Sequence, residues 1–85
     1  MKRYKSVFKE AISKNIDKVE RNIGKIIFDS ISKATQEQLE EWLNNLQSEI
    51  KLHVSKSGKD ARYDALKEEE WYILYRLDRS EEFKY

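Results

Sequence analysis

An all-α fold is what this sequence predicts, an antiparallel three-helix bundle with a long first helix, and three observations carry that expectation. Phe8, Ile12, Ile16, Val19, Ile23 and Ile26 recur at spacings of four, four, three, four and three, the period of one helical face. Thr35 and Gln38 stand three apart ahead of a second apolar series, the spacing of a capping box. No proline and only two glycines punctuate 85 residues, so long helices are sterically permitted almost throughout. Residues 1–85 form one helical domain, and a chain this short buries only roughly 60 to 65% of its unfolded surface, which makes its core thin.

The first helix is expected from about Tyr4 to about Ile31, with Val7, Ala11, Ile27 and Ile31 widening the seam into a broad apolar face and Gly24 as its weak point. At about 1.5 Å per residue, 28 residues reach roughly 42 Å, more than the other two helices can cover. Either this helix breaks near Gly24 or Ser30, or the bundle is elongated, or part of the seam meets another chain. The second helix starts at the Thr35 cap. Leu39, Trp42, Leu43, Leu46, Ile50 and Val54 form its inner face, and the early glutamates suit the positive end of its dipole. Ser55 to Asp60 reads as a loop in which Gly58 supplies a positive φ and Asp60 or Ser57 caps the next helix. The third helix is expected from Ala61 to about Arg79, with Tyr63, Leu66, Ile73, Leu74 and Leu77 inward and Glu70 interrupting the stripe. An α+β arrangement is the alternative, because Ile50, Leu52 and Val54 alternate and Trp71 to Leu77 is rich in β-favouring residues; two helices would then pack on a small C-terminal β-hairpin.

Charge is uneven along the chain. Residues 1–33 carry nine Lys or Arg against four Asp or Glu, a net of +5, whereas residues 34–50 carry four Glu and no base, a net of −4. Such segments are expected to pair with one another in the fold, basic helix against acidic helix, and the alternative is a basic face left free for an acidic partner. The absence of cysteine removes disulfide and thiolate chemistry, and the longest apolar run, Trp71 to Tyr75, is far below membrane-spanning length. A cytoplasmic protein is the expectation.

Catalytic chemistry has little to build on. His53 is the only histidine, and no nucleophile stands near it in a recognisable motif. Glu49 and His53 are four apart, which is not the three-residue Glu and His spacing of di-iron bundles. Glu68, Glu69 and Glu70 point in different directions around a helix, and Ser57, Gly58 and Lys59 lack the rest of a phosphate loop. No metal, no cofactor and no enzymatic activity are expected.

Binding surfaces are better represented. Trp71, Tyr72, Tyr75, Arg76, Arg79, Phe83 and Tyr85 gather hot-spot residue types at one end of the chain and form the expected protein-docking patch. Ile12, Ile16, Val19, Ile23 and Ile26 form the expected self-association seam. Lys14, Lys18, Arg21 and Lys25 recur at four, three and four and make a basic ridge, which could track a phosphate backbone or simply be solvated. The sequence thus points to a small non-enzymatic regulator that binds another protein through a helical, dimeric scaffold. A nucleic-acid-binding regulator using the ridge is the alternative, and attachment to a membrane surface is disfavoured because the core needs the seam.

Overall fold

The computed structural model describes residues 20–84 apart from Asn22, and these form α1 (Lys25–Lys33), α2 (Gln36–Ser57), α3 (Ala61–Arg76) and a single 3-10 turn, Ser80–Glu82. The sequence-predicted roles of Ile12, Ile16, Val19, Lys14, Lys18 and Tyr85 fall outside the described residues. The fold is an all-α bundle with no strand among the described residues, so the segment Trp71 to Arg76 is helix rather than hairpin.

The first helix divides at Gly24. Glu20, Arg21 and Ile23 are helical, but Gly24 takes φ 93° and ψ 142°, a conformation closed to most side-chain-bearing residues, and starts α1 as its N-terminal cap. Both sides of the break keep their hydrogen bonds, Gly24 N–H donating to Glu20 O and Phe28 N–H to Gly24 O, each at 2.9 Å. A break at this glycine is one of the three ways the sequence offers to reconcile that helix's length with its cover, and the described residues show it.

A reciprocal cap opens α2. The Thr35 hydroxyl accepts from Gln38 N–H at 3.1 Å, and the Gln38 side-chain oxygen accepts from Thr35 N–H at 2.9 Å, satisfying two otherwise orphaned donors. Leu39, Leu43, Leu46 and Ile50 then face inward, with Trp42 and Val54 packed at the margin. The helix runs to Ser57, slightly beyond the expected start of the loop, and stops at Gly58, where φ 74° and ψ −163° require glycine. Asp60 caps α3 by accepting from Tyr63 N–H at 3.0 Å. Three residues of loop force α2 and α3 antiparallel, and the cross-contacts run accordingly: Trp42 meets Glu69, Glu49 meets Arg62, and His53 meets Asp60.

α3 is the centre of the molecule, packing on α2, on α1 and on the C-terminal turn. Five consecutive residues, Glu70 to Leu74, are buried, so this helix is enclosed all round rather than along one stripe. Burial explains Glu70's place there. Its Oε1 lies 2.6 Å from Lys67 Nζ, an ionic contact without an aligned hydrogen bond, and its Oε2 accepts from Gln47 at 3.0 Å. α3 ends in a Schellman turn. Asp78 adopts φ 59°, Arg79 N–H reaches back to Leu74 O at 2.8 Å, and Asp78 N–H reaches Tyr75 O at 3.1 Å. That reversal returns the chain to the core, where Phe83 is fully buried.

Candidate functional site

The C-terminal aromatic patch is mostly core. Trp71, Tyr72 and Phe83, expected to dock a partner, are enclosed, and the reason is the central position of α3. The Tyr72 ring stacks on Phe28 of α1 with centroids 4.8 Å apart and planes 7° from parallel. Its hydroxyl lies 2.9 Å from Ser32 Oγ; since Ser32 spends its single proton on Phe28 O, also at 2.9 Å, Tyr72 is the donor. Trp71 takes Phe83 edge-on at 6.5 Å and carries Tyr75 on its other side at 5.3 Å. Tyr85 is outside the described residues.

Three members of the patch do reach the surface. Tyr75 remains 45% exposed despite its stacking. Arg76 is exposed and donates to Ser32 O at 3.1 Å, one of the terminal carbonyls of α1. Arg79 grips Glu82 with two hydrogen bonds of 2.8 Å, which raises the guanidinium's affinity for its proton and holds the Glu82 carboxyl below the usual carboxylate range.

An open stretch of surface lies where α1 turns into α2. Two hollows adjoin at Ala34. One, about 490 Å³, is lined by Ser30, Lys33, Ala34, Gln38 and Trp42; the other, about 220 Å³, by Ala34, Gln36, Leu39, Arg76, Leu77 and Asp78. The sequence places Trp42 on the core face of α2, yet the residue is only half-buried. Its indole N–H donates to Glu69 Oε2 at 2.8 Å, so what it can offer a ligand is its ring. Burial pushes the Glu69 carboxyl above the ordinary range, and the Trp42 bond partly offsets that. The capping box spends the Gln38 carbonyl on Thr35 N–H, which leaves its amide donors for the hollow.

The seam residues part company at this end. Ile23 is buried, whereas Ile26 is 83% exposed, although the sequence predicts both on one self-association surface. The inward face of α1 is Ile27, Phe28 and Ile31; at 100° per residue Ile26 lies roughly 145° from its centre. Ile26 instead shares the outer face with Ser30 and Lys33, at i, i+4 and i+7, so the exposed isoleucine leads directly into the Trp42 hollow.

Of the basic ridge, Arg21 and Lys25 are described and exposed, and Lys25 sits 3.7 Å from Glu20 and 3.5 Å from Asp29, so its charge is already answered. Among the described residues, no ion pair joins the basic stretch before Ala34 to the acidic stretch that follows it. Most ion pairs among the described residues are local, and it is Arg62 with Glu49, at 3.5 Å, that links α3 to α2. His53 is half-buried, with Nε2 2.7 Å from Asp60 Oδ1. Glu69 and Glu70 diverge, one toward Trp42 and the other toward Lys67 and Gln47. Among the described residues no three His, Asp or Glu side chains converge where a metal ion could be held, and no helix is long and apolar enough to cross a membrane.

Comparison of the chain with protein-family models, with curated proteins and with solved structures returned no match.

Proposed function

We propose that this chain is a small non-enzymatic regulator that works by binding another protein, with the α1–α2 corner of the bundle as its docking surface. The observation that carries the reading is the pair of hollows meeting at Ala34, which brings a tryptophan ring, an arginine and a lysine without an ionic partner among the described residues to one end of the molecule. Tryptophan and arginine are the residue types that dominate binding energy at interfaces, because each removes a large area from water while keeping a polar handle. Hollows of this size receive side chains of a partner. The nucleic-acid alternative draws less support, because Lys25 already lies between two carboxylates and phosphate contacts gain most from basic groups free of such neighbours.

Photo-crosslinking tests the reading. A benzophenone amino acid placed at Ser30 or Gln36, one lining each hollow, should couple the chain to a different protein in the native cell extract, whereas the same probe at Leu52 on the far part of α2 should not. Couplings to other proteins confined to position 52, or absent from 30 and 36, would refute it.

A further inference from the structure

We infer that a second copy of this chain seats on the outer α1–α2 face, with Ile26 of each copy entering the Trp42 hollow of the other; this rests on reading that face as a docking surface, and it makes self-association and partner binding compete. The first ground is apolar. Ile26 is 83% exposed on a helix whose inner face, Ile27, Phe28 and Ile31, packs against the core, and the hollow that Ser30 and Lys33 lead into, about 490 Å³ with the Trp42 ring and the Ala34 methyl in its wall, can receive an aliphatic side chain. Donor and acceptor surfaces of that kind lie side by side on one face. That is the condition for an isologous contact, in which one two-fold axis satisfies both at once.

The second ground is charge. Lys33 on the rim makes no ion pair or hydrogen bond with a described residue, and neither do the exposed Glu37 and Glu41, each one position before a hollow-lining residue of α2, Gln38 and Trp42. Within one copy these opposite charges stay apart. A two-fold axis near Ser30 and Ala34 places Lys33 of each copy against Glu37 and Glu41 of the other while the two isoleucines are buried. An exclusively acidic or exclusively basic partner would match only one half of this face and be repelled by the other half, so a surface carrying the same two signs in the reverse order fits it best. The area is modest. An interface smaller than roughly 1,200 Å² belongs to the weak, reversible class, which suits a contact that a partner is meant to displace.

The test is sedimentation velocity on the full chain from about 1 µM to about 1 mM, the range in which such an interface dissociates. A concentration-dependent dimer is expected. Ile26→Asp should weaken it about 100-fold, tenfold for each of two equivalent side chains, with unchanged helical circular dichroism because the site is exposed. Lys33→Glu alone and Glu41→Lys alone should each weaken it about tenfold, and mixing those two variants should restore association. The benzophenone at Ser30 should also shift from coupling another protein to coupling a second copy as the chain is concentrated. A monomer at every concentration overturns the inference while leaving the couplings from Ser30 and Gln36 to test the docking surface independently. A dimer that survives Ile26→Asp, or is lost only in Ile12→Asp, lies elsewhere and overturns it as well. Failure of the mixed charge variants to associate refutes the two-fold pairing.

Discussion

Phe83→Ala separates two roles for the C-terminal aromatics, because a docking residue and a core residue respond to truncation on different scales. Phe83 is fully buried, edge-on to Trp71 at 6.5 Å and 5.0 Å below the Lys67 ammonium. Truncating a buried phenylalanine costs about 3–5 kcal/mol in lost transfer energy and cavity formation. Losing the ring also removes a cation–π partner from Lys67, worth about 0.5–2 kcal/mol in a partly desolvated setting. Against a total stability of about 4–13 kcal/mol for 85 residues, that is a large share. At about 4–8 °C per kcal/mol for a domain of this size, the unfolding midpoint should fall by at least about 12 °C, monitored by circular dichroism at 222 nm. Should the alanine variant fail to fold, Phe83→Leu keeps most of the volume and should lose less than about 1.5 kcal/mol. A Phe83→Ala protein that melts within about 3 °C of the wild type would refute the placement of this residue in the core.

Other perturbations probe the remaining elements. Lys67→Met strands the Glu70 carboxylate in the core and should cost about 3–5 kcal/mol in urea unfolding, while the Lys67→Met, Glu70→Leu double variant should recover most of that loss. Gly58→Ala meets no steric clash at the new methyl, so its cost of about 1–3 kcal/mol comes from the backbone at φ 74° and ψ −163°; a loss below about 0.5 kcal/mol would contradict that conformation. Asp60's carboxyl is held below its ordinary 3.8 by the His53 bond and then by Tyr63 N–H, so it binds protons less readily folded than unfolded. Its contribution is present above 3.8 and lost as pH falls through the lowered folded value; urea midpoints of wild type and Asp60→Asn should therefore converge on acidification, and a constant gap would count against the cap. Glu69 has the opposite sign. Burial raises its carboxyl above 4.5, so stability declines as pH climbs through that raised value, and Glu69→Gln, which keeps an acceptor for Trp42, should be as stable as or more stable than wild type at pH 7 and lose that advantage below 4.5.

What could be read from residues alone was whatever local chemistry decides. The Thr35 and Gln38 cap, the leucine face of α2, the glycine at 58 and the aspartate cap at 60 all depend on neighbours within four positions, and each is in place. α3 defeats periodicity because Trp71, Tyr72, Ile73 and Leu74 are adjacent yet all buried, a pattern produced by covering a helix on several sides. Phe83 reads as exposed because it comes after a polar run. The Schellman turn at Asp78 sends it back inside, and a non-glycine residue at positive φ leaves no signal in the spacing of apolar residues. Ile26 reads as seam only if helical phase continues across Gly24, and it does not. Trp42 carried a hint of its half-exposed position, since a tryptophan at the edge of a leucine face beside Glu37, Glu40 and Glu41 has a polar flank. Of the six expected docking residues that are described, Tyr75, Arg76 and Arg79 reach the surface, and Arg76 lines one of the two hollows.

The two tryptophans divide between the core and an open hollow, and that division can be measured. Trp71 sits in the core at 2% exposure and Trp42 lines an open hollow, so single-tryptophan variants Trp71→Phe and Trp42→Phe isolate one emitter each. Acrylamide quenching of the native protein should be strong when Trp42 alone emits and weak when Trp71 alone emits. Equal quenching of both, or stronger quenching of Trp71, would contradict a core built on the C-terminal aromatics and an accessible Trp42 ring, on which the proposed docking corner depends.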